Sequence, residues 1–150
     1  MKDALNILLT LTDPVLERVI IELYWYVGDT NPIANDIQLT INGNDFILGC
    51  AGDGSLFVKK GQATIDDGDD KNILKRSLLS LELYRNANIK NIVRTDNSIL
   101  IELNDSNLEI VNDDDELCLF ANRKNIVFSS LTMNECSLNR EKTDSLLLLS

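Results

Sequence analysis

Apolar residues recur along this chain in short runs, and clusters of Asn, Asp, Gly and Ser separate them. Several runs alternate with the period of a strand. Ile99, Ile101 and Leu103 share one face, while Leu100, Glu102 and Asn104 share the other, so one face is buried and the other mostly wet. The run from Val19 to Val27 holds Tyr24, Trp25 and Tyr26, residue types that suit a sheet. Asn42-Gly43 marks a tight hairpin, because such a turn needs positive φ at both central residues. These patterns predict strands at about 16–27, 36–42, 45–50 and 55–60, and again at 89–95, 98–104, 107–112 and 116–121. One or two further strands are expected near Ile126 to Ser130 and Glu135 to Leu138. Two segments read as short helices, one from Asp3 to Leu11 and one over about 70–84. In the second, Ile73, Leu74, Leu78, Leu81 and Tyr84 recur at helical spacing, with Lys71, Lys75, Arg76 and Glu82 free to face water.

The strand pattern repeats. Leu16 to Ile20 matches Ile89 to Val93, 73 positions later, and the Asp13-Pro14 break before the first matches Asn86-Ala87 before the second. Ile37 to Leu48 matches Ile99 to Ile110 at an offset of 62, and Gly52 to Val58 matches Asp114 to Phe120 with one residue of slack. The fall in offset places extra residues of the first copy between Glu22 and Asp36, around Gly28-Asp29 and Asn31-Pro32. The expected fold is α+β and strand-rich. It consists of two tandem helix-plus-four-strand units, about 3–60 and 70–121, sharing a mainly antiparallel sheet, with a C-terminal strand extension over 122–150. The linker Gly61 to Asn72 has the composition of an exposed turn, and no Pro-rich stretch divides the halves, so residues 1–150 are expected to form one body.

Composition adds constraints. Hydrophobic residues make up 44% of the 150 but aromatics only 5%, so the core must be built from Leu, Ile and Val. Fourteen Lys and Arg against 24 Asp and Glu leave a net charge of -10. That field repels nucleic acid and anionic membranes and attracts basic proteins; a plain contribution to solubility accounts for it equally well. The three cysteines, Cys50, Cys118 and Cys136, are odd in number and far apart, which argues against a disulfide framework and a zinc site and for reduced thiols in a cytoplasmic protein. Met1 to Thr12 lacks the features of a secretory leader, and Leu146 to Leu149 is far too short to span a bilayer.

Histidine is absent, which removes the commonest general base and every triad that depends on imidazole. Carboxylate pairs could in principle hydrolyse glycosides, but here they sit at turns, where solvation is the default. Asp66-Asp67-Gly68-Asp69-Asp70 invites a calcium reading and fails it: counting from Asp67, the sixth position is Asn72 and the twelfth Leu78, where a Gly and a bidentate Glu are needed. Asp113 to Glu116 lacks the same Gly and spacing. Gly49 to Gly54 resembles a phosphate loop in composition, but no Lys-Ser or Lys-Thr follows it and the next element is a strand. Lys59-Lys60, Lys75-Arg76 and Arg123-Lys124 are isolated basic pairs without interleaved aromatics. No catalytic residue, metal or cofactor is therefore expected, and what remains is surface. Two acidic turns stand out, Asp66, Asp67, Asp69 and Asp70 in one, Asp113, Asp114, Asp115 and Glu116 in the other.

In style, the chain resembles the small acidic immunity proteins of bacterial polymorphic toxin and contact-dependent inhibition systems. The segments carrying the resemblance are Ile37 to Val58 and Ile99 to Phe120, each an apolar strand, a hairpin, an acidic turn and another apolar strand. The resemblance implies a non-enzymatic cytoplasmic inhibitor that binds one cognate toxin domain, with the eight acidic residues as candidate contacts. A nuclease toxin suits the charge, since its nucleic-acid site is basic. The alternative is a structural or regulatory interaction module, including a homodimer joined by a strand edge or the leucine-rich tail.

Overall fold

The computed structural model describes residues 4–26, 33–63 and 74–126. One helical turn and a half, α1 (Ala4–Leu9), precedes a four-strand meander, β1 (Val15–Tyr26), β2 (Ile33–Ile41), β3 (Asn44–Cys50) and β4 (Leu56–Lys60). Then come β5 (Leu74–Ser80), a 3-10 turn (Glu82–Tyr84), and a second meander, β6 (Ala87–Arg94), β7 (Ser98–Leu103), β8 (Asn107–Asp113) and β9 (Glu116–Ala121), closed off by the two-residue β10 (Lys124–Asn125). Both meanders fall where the alternation of apolar residues puts them.

The organisation into two helix-plus-strand units does not hold. Strands account for 64% of the described residues, and six of them, β1, β2, β9, β8, β7 and β6, close into an antiparallel barrel with β3, β4, β5 and β10 outside the ring. The segment expected as a second helix is β5, paired antiparallel to β1 from Ile20↔Ser80 to Tyr26↔Leu74. The reason is tertiary. At twelve residues β1 outruns its other neighbours, β2 covers one of its edges, and β6 meets the other edge only at Val15 and Leu16. A segment whose apolar residues fit either period takes the partner that satisfies this open edge, overriding its local preference. The line along β1 then continues through a corner: Leu81 N donates to Val19 O at 2.9 Å and Asn86 N to Glu17 O at 3.2 Å, so β5 and β6 run as one interrupted strand. Of the expected tail strands, β10 lies just before the first, and residues 127–150 lie outside the described residues.

The two meanders share a register. β1 carries a bulge between Leu16 and Arg18 opposite Ile41 and Thr40, and β6 carries one between Ile89 and Asn91 opposite Leu103 and Glu102. The bulge is what lets residues three apart both point inward: Leu16 and Val19 are fully buried, and in β6 Ile89 and Ile92 face the core. Asp13 (φ 45°) and Asn86 (φ 54°) hold the same left-handed conformation just before each first strand. Thr40↔Asp45 corresponds to Glu102↔Asn107, and Cys50↔Leu56 to Asn112↔Leu117.

One aliphatic core fills the barrel and the space under β3 and β4. Ile37, Leu39, Ile41, Phe46, Leu48, Ile99, Ile101, Leu108 and Ile110 are fully buried within it, and Leu8 of α1 joins them. Tyr84, also buried, donates its hydroxyl to Asn107 O at 3.0 Å, which ties the 3-10 corner to the start of β8. Among the described residues the ring closes at its far side on one pairing position, Ala34↔Leu117.

Candidate functional site

Three turns meet at one end of the barrel. The β3–β4 turn is formed by Ala51 to Ser55, where Ala51 N donates to Ser55 O at 2.9 Å and Gly54 takes the left-handed φ of 88°. The Asp53 carboxylate accepts from Ser55 N at 3.0 Å and from Ser55 Oγ at 2.6 Å, the local bonding that makes Asp a turn residue. Those bonds from the Ser55 hydroxyl and amide hold the Asp53 carboxyl below the usual carboxylate range. The β6–β7 turn follows, with Thr95 N donating to Ser98 O at 2.9 Å. In the β8–β9 turn Asp114 (φ 55°) and Asp115 (φ 62°) both adopt positive φ, as a two-residue hairpin requires.

Asn112 joins the three. It is the last inward position of β8 after Leu108 and Ile110, and it is 3% exposed. Its side-chain amide donates to Ser55 O at 2.8 Å, and its Oδ1 accepts from Asp115 N at 2.8 Å. Its backbone N donates to Asn97 O at 2.7 Å. Leu56 N donates to Asp96 O at 3.2 Å, adding a direct link between the β3–β4 and β6–β7 turns. A buried amide held on both its donor and acceptor sides is a rigid connector.

The consequence is a gathering of exposed carboxylates. Asp53, Asp96, Asp113, Asp114, Asp115 and Glu116 all stand in water around this one end. Of the acidic residues singled out in the sequence, Asp113 to Glu116 are here, joined by Asp53 and Asp96, which sequence spacing did not single out. Asp66, Asp67, Asp69 and Asp70 lie outside the described residues. Asn112 was also missed. Its signal is a polar residue in an inward register, in a strand whose other inward positions are aliphatic.

Behind the turns sit Cys50 and Cys118, both half-buried free thiols. Burial first, and then the negative field of Asp115, push the Cys50 thiol from 9.0 up to about 11. Cys118 is raised for the same reasons, burial and then Asp113 and Glu116. Both thiols are therefore protonated at neutral pH, and a protonated thiol is a poor nucleophile. Asp36, at the same end of β2, has its carboxyl raised by burial, an effect that Lys59 opposes. Among the described residues no group of three or more His, Cys, Asp or Glu is placed to hold a metal ion. No helix among them is long and apolar enough to cross a membrane. What this end can do chemically is present a fixed negative surface to something positive.

A scan against protein-family models, a search of curated proteins and a search of solved structures find no match to the chain.

Proposed function

We propose that this chain is a non-catalytic immunity protein of the cytoplasm, which binds a cognate bacterial toxin and covers a basic surface of it. The observation that carries the reading is the convergence of three separate turns on one acidic end, held in fixed positions by the buried Asn112. Ordered charge is what distinguishes a recognition surface from charge that merely aids solubility, because complementarity fixes orientation and speeds encounter. A nuclease-type toxin supplies the matching surface, since its active face must already be basic to hold a phosphate backbone.

The test is a binding and protection assay with the product of the adjacent gene. Replacing Asp113, Asp114, Asp115 and Glu116 with lysine is expected to lower the association rate constant about tenfold or more at low salt and to abolish protection. Unchanged binding and protection would reject electrostatic occlusion by this end.

A further inference from the structure

The outer faces of the two meanders are built alike but finished differently. At the end of the first, Gly61 N donates to Asp45 O at 3.1 Å; at the matching point of the second, Asn122 N donates to Asn107 O, also at 3.1 Å. There the chain paths part. After Gly61 the first meander's own chain crosses its outer face. Gln62 Nε2 donates to Asp45 Oδ2 at 2.8 Å, and Ala63 N donates to Gln38 Oε1 at 2.8 Å. The face beneath is well covered: Gln38, Thr40 and Ile47 are 3%, 5% and 3% exposed. In the second meander Asn122 (φ 52°) and Arg123 (φ 69°) turn the chain back along β9 as β10 instead.

The matching outer face of β7 and β8 is therefore not crossed by any described residue. It forms an open groove of about 510 Å³ lined by Leu100, Glu102, Asp105, Asn107, Glu109 and Arg123. By register, Leu100 stands where Gln38 stands in the first meander, Glu102 where Thr40 does, and Glu109 where Ile47 does. Thr40 and Ile47 give way to the carboxylates Glu102 and Glu109, while Asp45 gives way to the neutral Asn107. The seat that residues 61–63 occupy in one half has a more acidic counterpart in the other.

We infer that the outer face of β7 and β8 is a docking groove for an extended segment of a partner protein that carries Lys or Arg. In the first meander residues 61–63 cross the matching face, the Gln62 side-chain amide and the Ala63 backbone N–H donating to side-chain acceptors on the sheet. Charge selects the occupant. Glu102, Asp105 and Glu109 outnumber Arg123, and the whole chain carries a net -10. The groove lies toward the β7–β8 turn, at the opposite end of these strands from the acidic turns, so it stands or falls separately from the function proposed above.

The probe is a fluorescein-labelled peptide of alternating lysine and valine, titrated into the full chain at low salt. A second peptide of alternating glutamate and valine serves as the control. Binding of the basic peptide only is expected, with amide chemical-shift changes concentrated in residues 100–109 and at 122–123. The double variant Glu102→Gln, Glu109→Gln preserves side-chain size and is expected to weaken binding about tenfold, with an otherwise unchanged amide spectrum. At ~0.15 M salt, where the screening length is about 8 Å, Asp113→Asn with Asp115→Asn is expected to weaken it much less than that double variant does. No binding at millimolar peptide would overturn the inference. So would equal weakening by both sets of substitutions, which would mean diffuse attraction, or cross-relaxation placing the chain's own residues 127–150 against Leu100 and Glu109.

Discussion

Gly49 shows how little room single positions leave. It lies in β3 opposite Phe57 of β4, and the ring of Phe57 covers it. A Cβ added to Gly49 would stand 2.5 Å from two ring carbons of Phe57 and 2.9 Å from Asp36 Oδ1. Lys59 Nζ lies 5.4 Å from the centre of the same ring, on which it rests as a cation. Gly49→Ala is expected to cost about 1–3 kcal/mol in urea unfolding. Adding Phe57→Leu should return part of that loss, since the clash is with the ring. Cys50, the next residue, makes a pH prediction. Its thiol is raised from 9.0 to about 11, so the folded protein holds that proton where the unfolded chain has released it. Its contribution to stability is intact below about pH 9 and is lost as pH climbs toward 11. Alkylation of native Cys50 by iodoacetamide, followed by mass spectrometry, should be slow at pH 7.5 and should rise steeply only toward pH 11. Asp115→Asn should move that rise to lower pH. The inward placement of Asn112 was within reach of the strand alternation, but its role was not. Its partners Ser55 and Asn97 are remote in sequence, and nothing local announces them.

At the scale of elements, the meander strands were legible because their apolar residues alternate and their turns carry Asn, Asp and Gly where positive φ is needed. The segment 74–84 was not, because its leucines satisfy both periods and the deciding influence, the open edge of β1, lies about fifty to sixty residues earlier in the chain. The two readings make opposite predictions about neighbouring side chains. In the helix, Leu78 would be inward; in β5 it is half-buried, and Leu79 is 2% exposed. Leu79→Ala is expected to cost about 2–5 kcal/mol and Leu78→Ala clearly less, both measured by chemical denaturation. The reverse order would restore the helix. Of the acidic turns, Asp113 to Glu116 could be recognised as a turn from composition. That it meets Asp53 and Asp96 could not, because that depends on how β4 approaches the β6–β7 turn.

For the molecule as a whole, charge and closure matter most. With a net -10 on a chain of 150 residues, the folded state holds like charges closer than the unfolded state does. Raising sodium chloride from ~0.05 M to ~0.5 M shortens the screening length from about 14 Å to about 4 Å and should raise the melting temperature by several degrees in scanning calorimetry. Asp113→Asn together with Asp115→Asn should reduce that salt response, because both belong to the densest part of the field. Closure of the ring has a different consequence. Among the described residues β2 and β9 pair at one register position, Ala34↔Leu117, and β1 and β6 at two, Val15↔Asn88 and Leu16↔Ala87, whereas the hairpin junctions are long ladders. Among the described residues the barrel is thus a bracelet fastened by a single link. Breathing of the bracelet at that clasp is expected to let amide hydrogens beside the link exchange with solvent sooner than those within the hairpin ladders. The clasp sits next to the acidic turns, so a partner gripping those turns would also hold the bracelet shut.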